Sequence, residues 1–294
     1  MALNINTLIT RTLTAIVFVA VLLGAILFNY ITFSVLFLIV SVWGLYEFYK
    51  LSEKLGAKPY KALGLLSGCI LYCYGVYQNS NVSLYVSSEK LFLVSIPLVF
   101  SVFIAGLFDK KTNTILNIAH TLMGIIYAVI PFVFLLNISC FDRNYTQHHV
   151  SENWSDNFAP YNYHYVLGII LLIWACDVSA YLVGSLVGKN KLYERISPGK
   201  TWEGTIGATI LTVGCSLIIS KWYPELATKH WIMISIMVSI LGTIGDLVES
   251  MLKRQAGVKD SGKIMPGHGG ILDRFDSLLF VSPFIYCYLA FIAR

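Results

Sequence analysis

The sequence predicts an all-α, polytopic membrane protein with about nine transmembrane helices and a cytoplasmic N-terminus. Apolar residues make up 56% of the 294 residues and charged residues only 13%, against about 25% charged residues in soluble domains. Runs of roughly 20 apolar residues, long enough to cross about 30 Å of hydrocarbon, recur along the chain. Lys and Arg residues are concentrated in every second connection between these runs, as expected when alternate connections lie in the cytoplasm. No soluble domain is expected before, between or after these runs.

Nine apolar runs account for the predicted helices, and the first is interpreted as a retained helix because it lacks a small-residue cleavage site. About five of them lie in residues 1–160, which also hold a long outside loop, and about four lie in a C-terminal catalytic region, residues 161–294. The runs are residues 13–28, 31–45, 63–77, 91–108, 115–136, 165–187, 204–220, 231–247 and 278–292.

The distribution of Lys and Arg fixes the predicted orientation, since cytoplasmic connections carry the excess of these residues. With the N-terminus inside, 16 of the 21 Lys and Arg residues fall in cytoplasmic connections and five fall outside. Membrane insertion therefore explains most of the formal charge of +5. A nucleic-acid partner is not needed to explain it.

Acidic residues gather at the ends of the last two predicted helices. Asp246 and Glu249 are three residues apart, hence on one face of the eighth helix, and Asp273 and Asp276 repeat that spacing in the ninth. Carboxylate oxygens are the hard ligands that Mg²⁺ prefers. The pattern therefore predicts a metal site on the cytoplasmic side. The alternative interpretation is a set of interfacial salt bridges with nearby Lys and Arg residues.

A glycine-rich link, residues 266–270, lies between these two helices. Glycines allow a backbone to approach phosphate closely, and the following helix N-terminus favours anions. Basic residues lie within or beside the link: Lys259, Lys263, His268 and Arg274. The link is therefore a candidate phosphate cradle.

Two further features lie upstream. The connection ISPGKTWEG, residues 196–204, lacks the glycine that a P-loop requires, because Glu194 stands at that position. It remains a basic, hydroxyl-bearing loop, or simply a topology-setting loop at a helix start.

Asp177 lies about 18 Å along a helix from Lys189, at ~1.5 Å per residue. An ionisable group at such depth predicts either a functional site or a buried pair with a neighbouring helix.

These residues resemble the CDP-diacylglycerol synthases, also called phosphatidate cytidylyltransferases. The family signature reads SMLKRQAGVKDSGKIMPGHGGILDRFD over residues 250–276, with Met265 where a branched or aromatic apolar residue is usual. The segments DVSAYLVGSLVGK and SPGKTWEG are similar to two further family blocks. The resemblance covers about residues 174–283.

The resemblance implies that phosphatidic acid and CTP react to give CDP-diacylglycerol and pyrophosphate, with one or two Mg²⁺ ions as cofactor. It implies metal ligation first by Asp246 and Asp273, and next by Asp260 and Asp276. The implied catalytic cations are Lys253, Arg254, Lys259, His268 and Arg274. The implied substrate-binding residues are Ser197, Lys200, Thr201, Ser250, Gly269, Gly270, Asp177 and Glu249.

The expected setting is the cytoplasmic side of a bacterial inner membrane, where soluble CTP meets phosphatidic acid from the bilayer. No nucleic-acid partner is expected, and a homodimer is left open.

Two other functions are considered. A CTP-dependent polyprenol or dolichol kinase would release CDP instead of pyrophosphate. A transporter using intramembrane acids would leave CTP intact.

Overall fold

Helices form nearly all of the described chain, in agreement with the predicted all-α class. The computed structural model describes residues 5–79, 88–109, 113–141, 161–264 and 269–292. The N-terminal helices are α1 Ile5–Phe28, α2 Tyr30–Lys54, α3 Lys61–Gln78, α4 Ser88–Phe108, α5 Thr114–Ala128 and α6 Ile130–Ser139. The C-terminal elements are α7 Tyr163–Val187, β1 Lys191–Tyr193, β2 Ser197–Thr201, α8 Trp202–Trp222, α9 Thr228–Gln255 and α10 Leu272–Ile292.

Each predicted apolar run lies within a helix, except that the run 115–136 is divided between α5 and α6. Pro131 sits in the first turn of α6. A proline lacks the N–H group of a helix interior and clashes with the preceding turn, so it is tolerated at a helix start. The helix therefore stops and restarts at this point.

Within the described residues, six segments are long and apolar enough to cross a membrane, which makes the chain an integral membrane protein. They are Tyr30–Lys54, Thr114–Ser139, Tyr163–Val187, Trp202–Trp222, Thr228–Gln255 and Leu272–Ile292. Two shorter apolar segments, Thr12–Phe28 and Ile96–Phe108, lie within α1 and α4.

The connection after α7 differs from the predicted loop because it forms an antiparallel hairpin. Lys191 pairs with Thr201 and Tyr193 with Ser197. The Thr201 hydroxyl then accepts a hydrogen bond from Gly204 N at 3.1 Å, which caps the start of α8. The hairpin therefore leads directly into α8. Its strand β2 carries Ser197 and Lys200 close to residues of α7, α9 and α10.

Helices from both halves of the chain pack around α10. This helix lies against α9 on one side and against α6 on another. The Ser282 hydroxyl of α10 donates to the carbonyl oxygen of Pro131 at 2.8 Å. Without a hydrophobic driving force between helices in lipid, such close packing and interhelical hydrogen bonds hold a bundle together.

Candidate functional site

A cavity of about 620 Å³ opens between five helices and the hairpin. Its apolar wall includes Phe18 of α1 and Ile170 and Ile173 of α7. Charged residues also line it, namely Asp177, Lys200, Asp246, Asp273, Arg274 and Asp276. Ile173 and Ile170 precede Asp177 by one and two helical turns. The cavity therefore offers both apolar surface and charge.

Close packing of α9 on α10 brings their acids together. A Cβ atom at Gly245 would lie 2.7 Å from the carbonyl oxygen of Asp276, so only glycine allows this approach. Asp246, Glu249 and Asp276 then each offer one carboxylate oxygen, and these oxygens lie within 4.8 Å of one another. We call these three residues the acid cluster.

Two lysines face the acids of α9 and α10. The Nζ atom of Lys200 lies 2.5 Å from Oδ2 of Asp246 and donates to the carbonyl oxygen of Thr243 at 3.3 Å. Lys253 forms ion pairs with Glu249 and, at 2.7 Å, with Asp273. Among the described residues, Asp276 has no such lysine partner. The two lysines thus pair with three of the four carboxylates of α9 and α10, and Asp276 is left without one in the described chain.

Asp273 differs from the acid cluster because its carboxylate accepts four hydrogen bonds from protein donors, more than any acid of the cluster accepts. Its Oδ1 accepts from Lys253. Its Oδ2 accepts from the backbone N and the hydroxyl of Ser261, both at 2.9 Å, and from Gly270 N at 2.7 Å. Asp273 therefore ties the connection between α9 and α10 to the start of α10.

Several other predicted residues lie at or beside the cavity. Ser197, Thr201 and Arg274 belong to its lining, although the Thr201 hydroxyl is used to cap α8. The Ser250 hydroxyl donates to Oδ1 of Asp246 at 3.2 Å. These contacts place the predicted hydroxyl groups beside the lysine and acids of the site.

The remaining predicted residues lie elsewhere. Arg254, Lys259 and Asp260 are exposed and are not part of the cavity lining. Gly270 donates its N–H to Asp273, and Gly269 adopts a φ of +84°, which favours glycine. The predicted cation His268 and the segment 265–268 lie outside the described residues. The acids that the structure groups are therefore Asp246, Glu249 and Asp276, with Asp260 apart from them.

One acid at this site was missed by sequence reasoning. Glu47 of α2 is buried, and its Oε2 accepts from the Ser261 hydroxyl at 3.0 Å and from Leu272 N at 3.1 Å. The apolar run 31–45 ends two residues before Glu47, so the sequence placed this acid just beyond the end of the predicted membrane helix. The observed helix continues to Lys54. If the predicted helix had been extended past residue 47, Glu47 would have been recognised as an ionisable residue inside a membrane helix and hence as a functional candidate.

The acid cluster fits a divalent cation. Hard carboxylate oxygens suit Mg²⁺, which completes its coordination with waters and substrate phosphates. The Oε1 atom of Glu249 is buried and accepts no hydrogen bond from any described residue. A buried polar atom without a hydrogen-bond partner is costly, so this oxygen favours a further ligand in addition to the ion pair with Lys253. Within the described part of the chain, Asp246, Glu249 and Asp276 therefore form a group that could hold a metal ion.

The bundle and its cavity define an integral membrane protein whose acids and lysines suit phosphate chemistry with a divalent cation. The sequence model of the Cytidylyltransferase family matches residues 9–292, and the chain belongs to that family. It is therefore a membrane-embedded transferase. The resemblance inferred from residues 250–276 is confirmed.

Two bacterial relatives match the chain over nearly all of their length, and a third matches over a shorter stretch. The phosphatidate cytidylyltransferase of Staphylococcus aureus strain COL is 34% identical over 280 residues, covering 94% of this chain and 96% of the relative. That of Bacillus subtilis strain 168 is 32% identical over 292 residues, covering 95% and 97%. That of Staphylococcus haemolyticus is 50% identical over 127 residues, covering 42% and 47%.

Proposed function

We propose that the chain transfers the cytidylyl group of CTP to phosphatidic acid, giving CDP-diacylglycerol and pyrophosphate. The observation that carries this proposal is the acid cluster, in contact with Lys200 and Lys253, beside a cavity with an apolar wall. Membership of the Cytidylyltransferase family supplies the reaction class. The names of the relatives supply phosphatidate as the acceptor.

The proposed reaction needs no strong general base. A phosphate oxygen of phosphatidic acid is already anionic at neutral pH and attacks the α-phosphorus of CTP. The bond from that phosphorus to the bridging oxygen of the β-phosphate breaks, and pyrophosphate leaves with the electron pair. Catalysis then depends on positioning and on neutralising charge. Lys200 and Arg274, which line the cavity, are suited to contact the phosphates.

Mg²⁺ is the proposed cofactor, with one or two ions bound. Asp246, Glu249 and Asp276 are the proposed ligands from their mutual distances. When bound, the metal would supply Lewis-acid neutralisation of the triphosphate. Lys253 neutralises Glu249 and holds Asp273, so it orients the acids around the site. Asp273 and Asp260 stay ligand predictions from the family resemblance alone.

The remaining roles are carried over from the family resemblance. Three cations are proposed to attract the phosphates of CTP: Arg254 in the last turn of α9, and Lys259 and His268 in the sequence between α9 and α10. The proposed polar contacts to substrate are Ser197, Thr201, Ser250, Gly269 and Gly270. Asp177, which lines the cavity one turn from Ile173, is proposed to orient neighbouring polar groups.

The proposed setting is a bacterial inner membrane, with nine crossings, the N-terminus inside and the site on the cytoplasmic side. The excess of Lys and Arg in alternate connections supports this orientation, and the compared relatives are bacterial. CTP would approach from the cytoplasm. The acyl chains of phosphatidic acid would lie along the apolar wall that includes Phe18 and Ile170.

Purified protein in detergent tests the proposal. With phosphatidic acid, CTP and Mg²⁺ it should form CDP-diacylglycerol and pyrophosphate, and EDTA should stop the reaction. Asp246→Asn and Asp276→Asn should each abolish product while the protein stays folded. Glu225→Gln is the matched control, because that partly exposed acid pairs with His164 away from the cavity.

The products discriminate between the proposed function and its alternatives. Release of CDP with a phosphorylated alcohol would identify a lipid kinase, and unchanged CTP would favour a transporter. Normal product from both Asp246→Asn and Asp276→Asn would overturn the metal assignment while leaving the reaction in place.

A further inference from the structure

We propose that Glu47 is a positioning residue for the site, holding the start of α10 and the Asp273 carboxylate from a helix in the other half of the chain. This inference rests on the proposed function where it concerns turnover. The contacts that carry it join α2 to residues 214 and 225 positions later in the sequence.

Glu47 completes the N-terminus of α10. Its Oε2 accepts from the backbone N of Leu272, the first residue of that helix, at 3.1 Å. The first N–H groups of a helix have no partner within the helix, and a carboxylate there also interacts favourably with the helix dipole. An acid from α2 therefore fixes where α10 begins and, with it, where Asp273 and Asp276 lie.

The Ser261 hydroxyl links Glu47 to Asp273. Its oxygen lies 3.0 Å from Oε2 of Glu47 and 2.9 Å from Oδ2 of Asp273. A hydroxyl carries one hydrogen, so it donates to one of the two carboxylates at a time. The hydroxyl holds the two carboxylates at a fixed separation. Through Lys253, Asp273 then connects this pair to Glu249 of the acid cluster.

The backbone of Gly262 and Gly270 packs directly against the carboxylate of Glu47. A Cβ atom at Gly262 would meet Oε1 of Glu47, and one at Gly270 would meet Oε2 and the Ser261 hydroxyl. Glu47 is only 3% exposed, and its Oε1 accepts no hydrogen bond from any described residue. Burying a carboxylate inside a membrane helix is costly. The hydrogen bonds from Ser261 and Leu272 offset part of this cost.

A purely structural role for Glu47 is the competing explanation, and Ser261 separates the two. If Glu47 acts through Ser261, then Ser261→Ala should lower kcat about as much as Glu47→Ala, and the double variant should be no worse than either. Loss of an outer partner of a metal site commonly lowers activity by about 10- to 100-fold. Glu47→Gln should restore most of the activity, because its amide oxygen can accept the same two hydrogen bonds.

Matched controls come from the same helices. Glu53→Ala removes a more exposed acid of α2 that pairs with Lys61, and it should leave kcat unchanged. Ser282→Ala removes a buried hydroxyl of α10 that bonds to Pro131, and it should lower the melting temperature without changing kcat. KM for CTP, kcat and melting temperature are measured for every variant in detergent with phosphatidic acid and Mg²⁺.

Hydrogen exchange provides a readout that does not require activity. The Leu272 amide should exchange at least several-fold faster in Glu47→Ala than in Glu53→Ala. An inactive wild type with this exchange difference would overturn the proposed function but support the positioning role. Wild-type kcat in Ser261→Ala, or unchanged Leu272 exchange in Glu47→Ala, would overturn the positioning role itself. If Glu47→Ala does not fold, Ser261→Ala still decides the question.

Discussion

The Nζ atom of Lys200 lies 2.5 Å from Oδ2 of Asp246, joining the hairpin after α7 to the acid cluster on α9. This contact puts a cation for phosphate and an acid for a metal ion side by side. A nucleoside triphosphate with its metal ion presents the complementary charges, an anionic phosphate for the lysine and a cation for the acid. The hairpin is therefore a part of the site and more than a connection between helices.

Lys200→Met is expected to lower kcat/KM by about 10²- to 10³-fold, in the range found when one group that stabilises transition-state charge is removed. Lys200→Arg keeps the charge and should retain more activity. Lys191→Met is the control, because Lys191 is an exposed lysine of the same hairpin. Steady-state product formation is the measurement. Equal loss in Lys191→Met would mean that general surface charge, and not this contact, matters.

Asp273 and Asp260 are expected to behave differently although both belong to the family signature. The Asp273 side chain is 6% exposed and holds Lys253, whereas Asp260 is exposed. Removing one partner of a buried ion pair costs about 3–5 kcal/mol. Asp273→Asn should therefore lower both the melting temperature and the activity, and Asp260→Asn should change neither by much. A large loss of activity in Asp260→Asn would instead support direct metal or substrate contact there.

Gly270→Ala should impair the enzyme for steric reasons. Its new methyl group would lie 2.6 Å from the backbone N of Gly262, and overpacking of this kind costs about 1–3 kcal/mol. Gly214→Ala in α8 is the control, since nothing lies within 4 Å of a Cβ atom there. That replacement should be neutral or stabilising, because alanine is the better helix former. Melting temperatures and product formation of the two variants are compared.

Mg²⁺ should stabilise the wild-type protein against heat. A ligand that binds only the folded state adds about 2.7 kcal/mol at a concentration 100 times its Kd. The rise in melting temperature should disappear in Asp246→Asn and Asp276→Asn but persist in Glu225→Gln. Scanning fluorimetry without CTP measures binding separately from turnover. An unchanged rise in both aspartate variants would mean that the ion binds elsewhere.

Cysteine labelling should establish the orientation in the membrane. In a variant whose six native cysteines are replaced, Lys191→Cys should react with a charged reagent only from the cytoplasmic side. Lys229→Cys, just before the apolar part of α9, should react only from the outside. Both lysines are exposed. Labelling of intact cells and inverted vesicles makes the comparison, and the reverse pattern would contradict a cytoplasmic site.

The sequence by itself determined the membrane class, the helix positions and the family. Apolar length and helical spacing are local properties, so each predicted run 13–28 to 278–292 lies in the observed helices. The acids at residues 246, 249, 273 and 276 could be assigned to two helix ends for the same reason. The hairpin after α7 was missed, because it is short and its strands carry little of the alternating apolar pattern that marks a strand.

Only the tertiary structure decided how these residues combine. Spacing along a helix does not tell which acid faces a metal ion and which is already held by protein donors. The close approach at Gly245 groups Asp246 with Asp276, while the contacts of Ser261 and Gly270 occupy Asp273. Glu47 joins this site across more than 200 residues. Such contacts depend on how distant helices pack, and no local sequence pattern encodes them.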